Sequence, residues 1–207
     1  MKNLILITIT TFVFAITVSA QNSSFGFKGA YHLSSMAVDK NQIDENKIKP
    51  GFSAGFVNQN RKGFMIYQTE LLWSRKGAKY SLLNNTAKVN ANLDYLELPA
   101  NIGINLFDTP LNIYAGPYTA YLLRADYEYL DANENVIANY NNKEAFKNWD
   151  FGFQTGLQFQ LKRLLLDARF SRGLTNVEDE DVQVSNPTFL PNKTKNYNLQ
   201  FSVGLLF

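Results

Sequence analysis

Cysteine is absent from the 207 residues. That absence excludes a disulfide framework, a thiolate metal site, a thiol nucleophile and lipid attachment through an N-terminal cysteine. Histidine occurs once, as His32, so chemistry that needs a histidine base has one candidate. An excess of one charge is also lacking: 20 Lys and Arg against 18 Asp and Glu leave a net +2. A nucleic-acid duplex needs a concentrated basic face to neutralise its phosphates, and this balance provides none, so nucleic acid is not expected as a partner. Beyond Ala20 there is no run of about eighteen apolar residues, so no helical membrane span is expected there. Any span must be made of strands.

The first segment differs from the rest. Lys2 supplies a positive start, Leu4 to Val18 is an apolar run interrupted only by threonine, and Val18-Ser19-Ala20 offers small residues to a signal peptidase. The run is short for a full span and is followed by Gln21-Asn22-Ser23-Ser24. Residues 1–20 therefore read as a signal peptide cleaved near Ala20, and 21–207 as one barrel domain. Lys2 is the only charge removed, which takes +2 to +1. With 45% hydrophobic and 14% aromatic residues, disorder is not expected of the remainder.

That remainder alternates with a period of two. Tyr197, Leu199, Phe201, Val203, Leu205 and Phe207 share one phase against Asn198, Gln200, Ser202 and Gly204. The same pattern runs through Trp149–Leu161, Tyr95–Leu106 and Leu164–Ser171. Weaker candidates are Phe25–His32, Gly51–Asn58, Phe64–Arg75 and Leu111–Leu122. Together they predict an all-β fold, an eight-stranded antiparallel up-and-down transmembrane β-barrel. The connections support it. Asn60–Gly63, Phe107–Pro110 and Lys162–Arg163 are tight, whereas Ser34–Pro50, Lys76–Asn92, Arg124–Lys147 and Thr175–Lys195 are long polar stretches of about 17 to 24 residues. Short turns on one rim and long loops on the other are the outer-membrane arrangement.

Several segments resemble a known family: Leu93-Asp94-Tyr95-Leu96-Glu97-Leu98-Pro99, Tyr114-Ala115-Gly116-Pro117-Tyr118, Trp149-Asp150-Phe151-Gly152 and the alternation ending in Phe207. They are similar to the PorT-like outer-membrane β-barrels, a porin-family type common in Bacteroidetes. The resemblance implies the barrel fold and a place in the bacterial outer membrane. Some relatives are linked to secretion or gliding machinery, and no residue here carries that role across. Phe207 also resembles the aromatic C-terminus that barrel-assembly machinery recognises.

In this register the inward ionisable residues are Lys28, Glu70, Glu97, Asp150, Asp167 and Arg169, with Gln154, Gln158 and Asn101 among them. Charges at membrane depth must face the interior and find partners. They form either a conduit or a plug, and eight strands leave an interior that side chains can fill. Gly26, Gly55, Gly103, Gly116, Gly152, Gly156 and Gly204 share the inward phase and make room for Tyr95, Tyr114 and Tyr118. His32, at the end of the first strand with Ser34 and Ser35 nearby, reads as solvated rather than catalytic. Asp131–Asn135 opens like a calcium loop but has Val136 where glycine belongs and Asn142 where the bidentate Glu belongs. The acidic run Glu178–Asp181 reads as a solvated loop. Tyr127, Tyr129 and Tyr140 are candidate loop contacts for sugar or protein. Tyr31, Tyr67, Trp73, Trp149, Tyr197 and Phe207 suit aromatic girdles.

The expected protein is a non-enzymatic envelope scaffold or recognition component. It needs no cofactor or metal, and its partners are outer-membrane lipid and an envelope protein. A narrow channel and a soluble ligand-binding barrel are the alternatives. N-terminal sequencing of the exported protein should begin at Gln21; an intact Met1 on the membrane-inserted form would overturn the cleavage.

Overall fold

The computed structural model describes residues 23–37, 43–82, 88–107, 109–131, 135–141, 143, 146–176 and 195–207. The leader and the acidic run Glu178–Asp181 lie outside these residues, as do positions 132–134 and 142 of the calcium-like segment. For Tyr127, Tyr129 and Tyr140 the description covers the backbone only.

The strands are β1 (Ser23–Ala37), β2 (Ile43–Lys47), β3 (Lys49–Lys62), β4 (Met65–Leu82), β5 (Lys88–Asn105), β6 (Leu111–Leu130), β7 (Val136–Asn141), β8 (Trp149–Leu161), β9 (Leu164–Gly173) and β10 (Lys195–Leu206). They form one antiparallel sheet in which β2 extends the β3 side onto β4 and β7 extends the β8 side onto β6. Eight staves result. The sheet closes because β1 pairs with β10 as well as with β3, and β4 pairs with β5. At its lower end the seal continues past the strands, with the Phe207 N–H donating to the Phe25 carbonyl at 2.7 Å.

Phase decides which side chains meet lipid. In β10 the burial alternates strictly from Asn196 to Leu206, with Phe201 51% and Val203 56% exposed and Gln200 and Ser202 buried. The apolar phase therefore faces out on every stave, the reverse of a soluble barrel, and the soluble ligand-binding alternative is set aside. Rings group at two heights. Phe25, Phe27, Phe56 and Phe207 pack at the end that holds the short turns, with Phe27 and Phe56 centroids 4.9 Å apart. Phe52–Trp73, Tyr121–Trp149 and Phe170–Tyr197 lie toward the other end. There Arg75 sits over Trp73, Lys143 over Tyr121 and Arg172 over Tyr197, stems along the rings and charges toward water.

Three of the long connections are corrected by the structure, while the fourth, Thr175–Lys195, lies outside the described residues at positions 177–194. Much of what reads as loop is strand: Lys76–Ser81 pairs with Lys88–Leu93, Asp126–Leu130 pairs with β7, and Ser34 to Ala37 continue β1 opposite β10. The ladder runs on beyond the apolar belt. Outside lipid the outward phase meets water, so it carries residues such as Lys79 and Arg124 and the alternation that marks a strand disappears from the sequence. The short turns stay tight. Gly63 (φ 59°) and Lys162 (φ 53°) occupy the left-handed region that two-residue hairpins require. Lipid-facing Phe201→Arg should destabilise the folded barrel by about 2 to 4 kcal/mol, read by urea titration of refolded protein; a neutral result would mean the faces are reversed.

Candidate functional site

The inward phase of all staves converges on a lumen, and its polar side chains are stacked in layers. At the level of the short turns, Gln59 Nε2 donates to Gln68 and Gln158 (3.1 and 3.0 Å), Gln158 donates to Gln68 (2.7 Å), and Asn112 donates to Gln158 (3.2 Å). Arg61 reaches across the mouth to Gln160 at 3.0 Å. The gap between Ile66, Gln68, Asn101, Tyr114 and Gln158 has no volume for a water molecule.

Above this layer is an ion cluster. Glu70 is held bidentately by Arg169 (2.9 and 2.5 Å) and by Lys28 at 3.0 Å. Gln68 donates to the same carboxylate. Lys28 also lies 3.4 Å from Asp167, and Ser202 donates to Asp167 at 3.2 Å. The Tyr114 hydroxyl joins both halves, accepting from Arg169 Nε (2.8 Å) and donating to Asp167 (2.6 Å). Two cations face two carboxylates. Such a cluster is neutral as a whole, which is the condition for holding charges away from water at all.

Gln154 donates to Asn101 at 2.7 Å in the step between this cluster and a second one. Lys76 pairs with Glu97 and sits over the Tyr118 ring at 5.1 Å. Asp150 takes hydrogen bonds from Tyr118 (3.3 Å), Asn196 (2.8 Å) and Thr175 (2.9 Å). Higher still the filling becomes apolar, with Leu93, Leu122 and Ala125 fully buried. Lys49 bonds Asn90 there and donates to the Ala91 carbonyl at 2.9 Å.

Each inward residue named from the sequence, Lys28, Glu70, Glu97, Asp150, Gln154, Asp167 and Arg169, is buried. Five of those seven fall into the two ion clusters with one another or with Lys76, while Gln154 bonds Asn101 and Asp150 is held by neutral donors. The glycines matter where rings lie over them. A Cβ at Gly156 would stand 2.5 Å from the Tyr114 hydroxyl oxygen, and one at Gly152 2.4 Å from the Tyr118 ring. Either substitution would push out a tyrosine that anchors a carboxylate.

His32 departs from its expected solvated position. It is fully buried within β1, opposite Gln200 and Gly51, and its ring fills the space that a Cβ at Gly51 would need. Ser34 does not bond to it: the hydroxyl sits between the Lys49 and Gly77 carbonyl oxygens (3.1 and 3.0 Å) and accepts from the Gly77 N–H at 3.1 Å. That contact ties β1 to β4 and forms no dyad. Sequence reasoning misses several members of the lumen network, among them Gln59, Gln68, Asn112, Lys76 and the hydroxyl of Tyr114. Lys76 fell in a presumed loop, although it continues the inward phase of Glu70, Leu72 and Ser74, and Tyr114 was credited with bulk rather than with its hydroxyl.

Arg169→Met should cost about 3 to 5 kcal/mol in urea titration, because it strands Glu70 and Asp167 with a single cation. Adding Glu70→Gln should recover part of that loss; an additive double variant would show that the pair is not coupled.

Comparison with known proteins follows the same lines. Residues 19–179 match the family model described as an outer membrane protein beta-barrel domain. Among solved structures, Ail, the attachment invasion locus protein of Yersinia pestis, superposes with a TM-score of 0.52 at 12% identity, covering 90% of this chain and 100% of that one. Neisserial surface protein A gives 0.51 at 11% identity with the same coverage, 90% and 100%. These likenesses concern the fold. Among curated proteins, none matches the chain in sequence.

Proposed function

We propose, for a chain that belongs to the outer membrane protein β-barrel domain family, a non-enzymatic role as envelope scaffold or recognition component, in which the barrel is an anchor and the extracellular extensions make the contacts. Family membership puts the barrel in the bacterial outer membrane. The observation that carries the rest is the filled lumen: the Lys28–Glu70–Asp167–Arg169 cluster spans the interior between strands as far apart as β1, β4 and β9. A solute would have to break these ion pairs to pass, so the channel reading loses its path.

Recognition then falls to the hairpins β4–β5 and β6–β7, where Tyr127, Tyr129 and Tyr140 stand opposite or near one another in the ladder, Tyr127 directly across from Tyr140. The partner chemistry is an envelope protein or surface sugar. We assign the chain to the PorT-like branch on the Leu96-Glu97-Leu98-Pro99, Gly116-Pro117-Tyr118 and Asp150-Phe151-Gly152 segments, and we take residues 1–20 as a leader removed on export. No cofactor or metal enters this reading.

Single-channel recording of the purified mature protein in planar bilayers tests it, with heat-modifiable gel migration as proof of folding. A folded barrel should be electrically silent. Steady conductance that changes with Glu97→Gln or Asp167→Asn would instead establish a channel.

A further inference from the structure

The lipid-facing wall is not evenly filled, and its two hollows flank one strand. One groove of about 440 Å³ lies over Ala168, walled by Leu157, Phe159, Leu166, Phe201 and Val203. Another of about 370 Å³ lies over Gly29 and Ala54, walled by Phe27, Leu164, Val203 and Leu205. They meet at Val203 of β10, the first groove on its β9 side and the second on its β1 side. A Cβ added at Gly29 would meet nothing within 4 Å, so no protein atom occupies the hollow above it.

Leu164, which walls the second groove, and Leu166, which walls the first, follow directly on the turn Lys162–Arg163 at the start of β9. Both side chains are exposed, and neither has an acidic partner among the described residues. The left-handed backbone of Lys162 (φ 53°) fixes the turn. Short turns lie on the periplasmic rim of an outer-membrane barrel, at the depth of the phospholipid head groups of the inner leaflet.

We propose that this is a binding site for one anionic diacyl phospholipid of the periplasmic leaflet, with its phosphate on Lys162 and Arg163 and one acyl chain in each groove. The parts fit the chemistry of such a molecule. Cations close to an anionic lipid surface attract it, a zwitterionic head group would bring its own cation against these two, and two adjoining apolar hollows below one charged turn match two chains leaving one head group. A chain seated on Gly29, Ala54 or Ala168 touches strand backbone and flanking rings together, gaining dispersion contacts that a convex wall denies it.

Native mass spectrometry of the folded full barrel, released from a neutral detergent with limiting lipid, tests the site. One phosphatidylglycerol should be retained at least fivefold better than phosphatidylcholine. Lys162→Gln/Arg163→Gln should abolish that preference, whereas Lys62→Gln, which removes an exposed cation beside the β3–β4 turn, should leave it intact. Ala168→Phe, which fills a groove without altering charge, should lower retention of diacyl phosphatidylglycerol but not of its single-chain lyso form. Heat-modifiable migration confirms that each variant is folded. Equal retention of the two head groups, or equal loss from both charge variants, would overturn the head-group site; an Ala168→Phe variant that binds diacyl lipid normally would overturn the grooves.

Discussion

Lipid offers a peptide group nothing to bond with. An unpaired N–H or C=O in hydrocarbon costs several kcal/mol, so a strand that enters the membrane must be paired along both edges. Eight staves satisfy this only as a ring, and the antiparallel pairing of β1 with β10 completes it. Closure then dictates the rest. Successive side chains must alternate between lipid and lumen, so within the apolar belt the outward positions are mainly apolar and the inward ones are enclosed by a tube too narrow for bulk water.

The interior answers that constraint with pairing in place of hydration. Glu70 and Asp167 are matched by Arg169 and Lys28, with Tyr114 bridging them, and the amides of Gln59, Gln158 and Asn112 donate within one group whose remaining member, Gln68, donates to Glu70. Low dielectric makes each of these bonds strong and each missing partner costly. Such a network adds less to net stability than its bond count suggests, because desolvation offsets much of the gain. What it does is join strands across the lumen, Lys28 of β1 and Arg169 of β9 both to Glu70 of β4.

The barrel was legible in the sequence wherever lipid imposes contrast between the two faces. β8 and β10 show it most clearly, with phenylalanine and leucine set against glutamine, glycine and serine. Inward charges such as Asp167 and Arg169 could be picked out by phase alone. What could not be read was how far the strands continue. Past the apolar belt both faces of β4, β5 and β6 are polar or mixed in sequence, so strand and loop look alike there; neither the inward place of Lys76 nor the apolar filling by Leu93, Leu122 and Ala125 stands out for this reason. The burial of His32 is not legible either, because a single imidazole beside a polar stretch gives no sign that Gly51 leaves room for its ring. Hydroxyl roles such as that of Tyr114 depend on distances across the lumen, which one-dimensional spacing does not contain.

The continuity of the ladder from membrane to exterior has a mechanical side. The β4–β5 register is constant from Met65↔Ile104 near the short turns to Ser81↔Lys88 at the described tip, with a gap in the ladder between Thr69↔Ala100 and Leu72↔Glu97 beside Pro99. A pull on that tip along the strands loads the flanking hydrogen bonds side by side, in shear against β3 and β6, instead of opening them one after another. The hairpin and the membrane-embedded wall thus behave as one stiff lever, and tension applied outside the cell surface is carried by the whole ring.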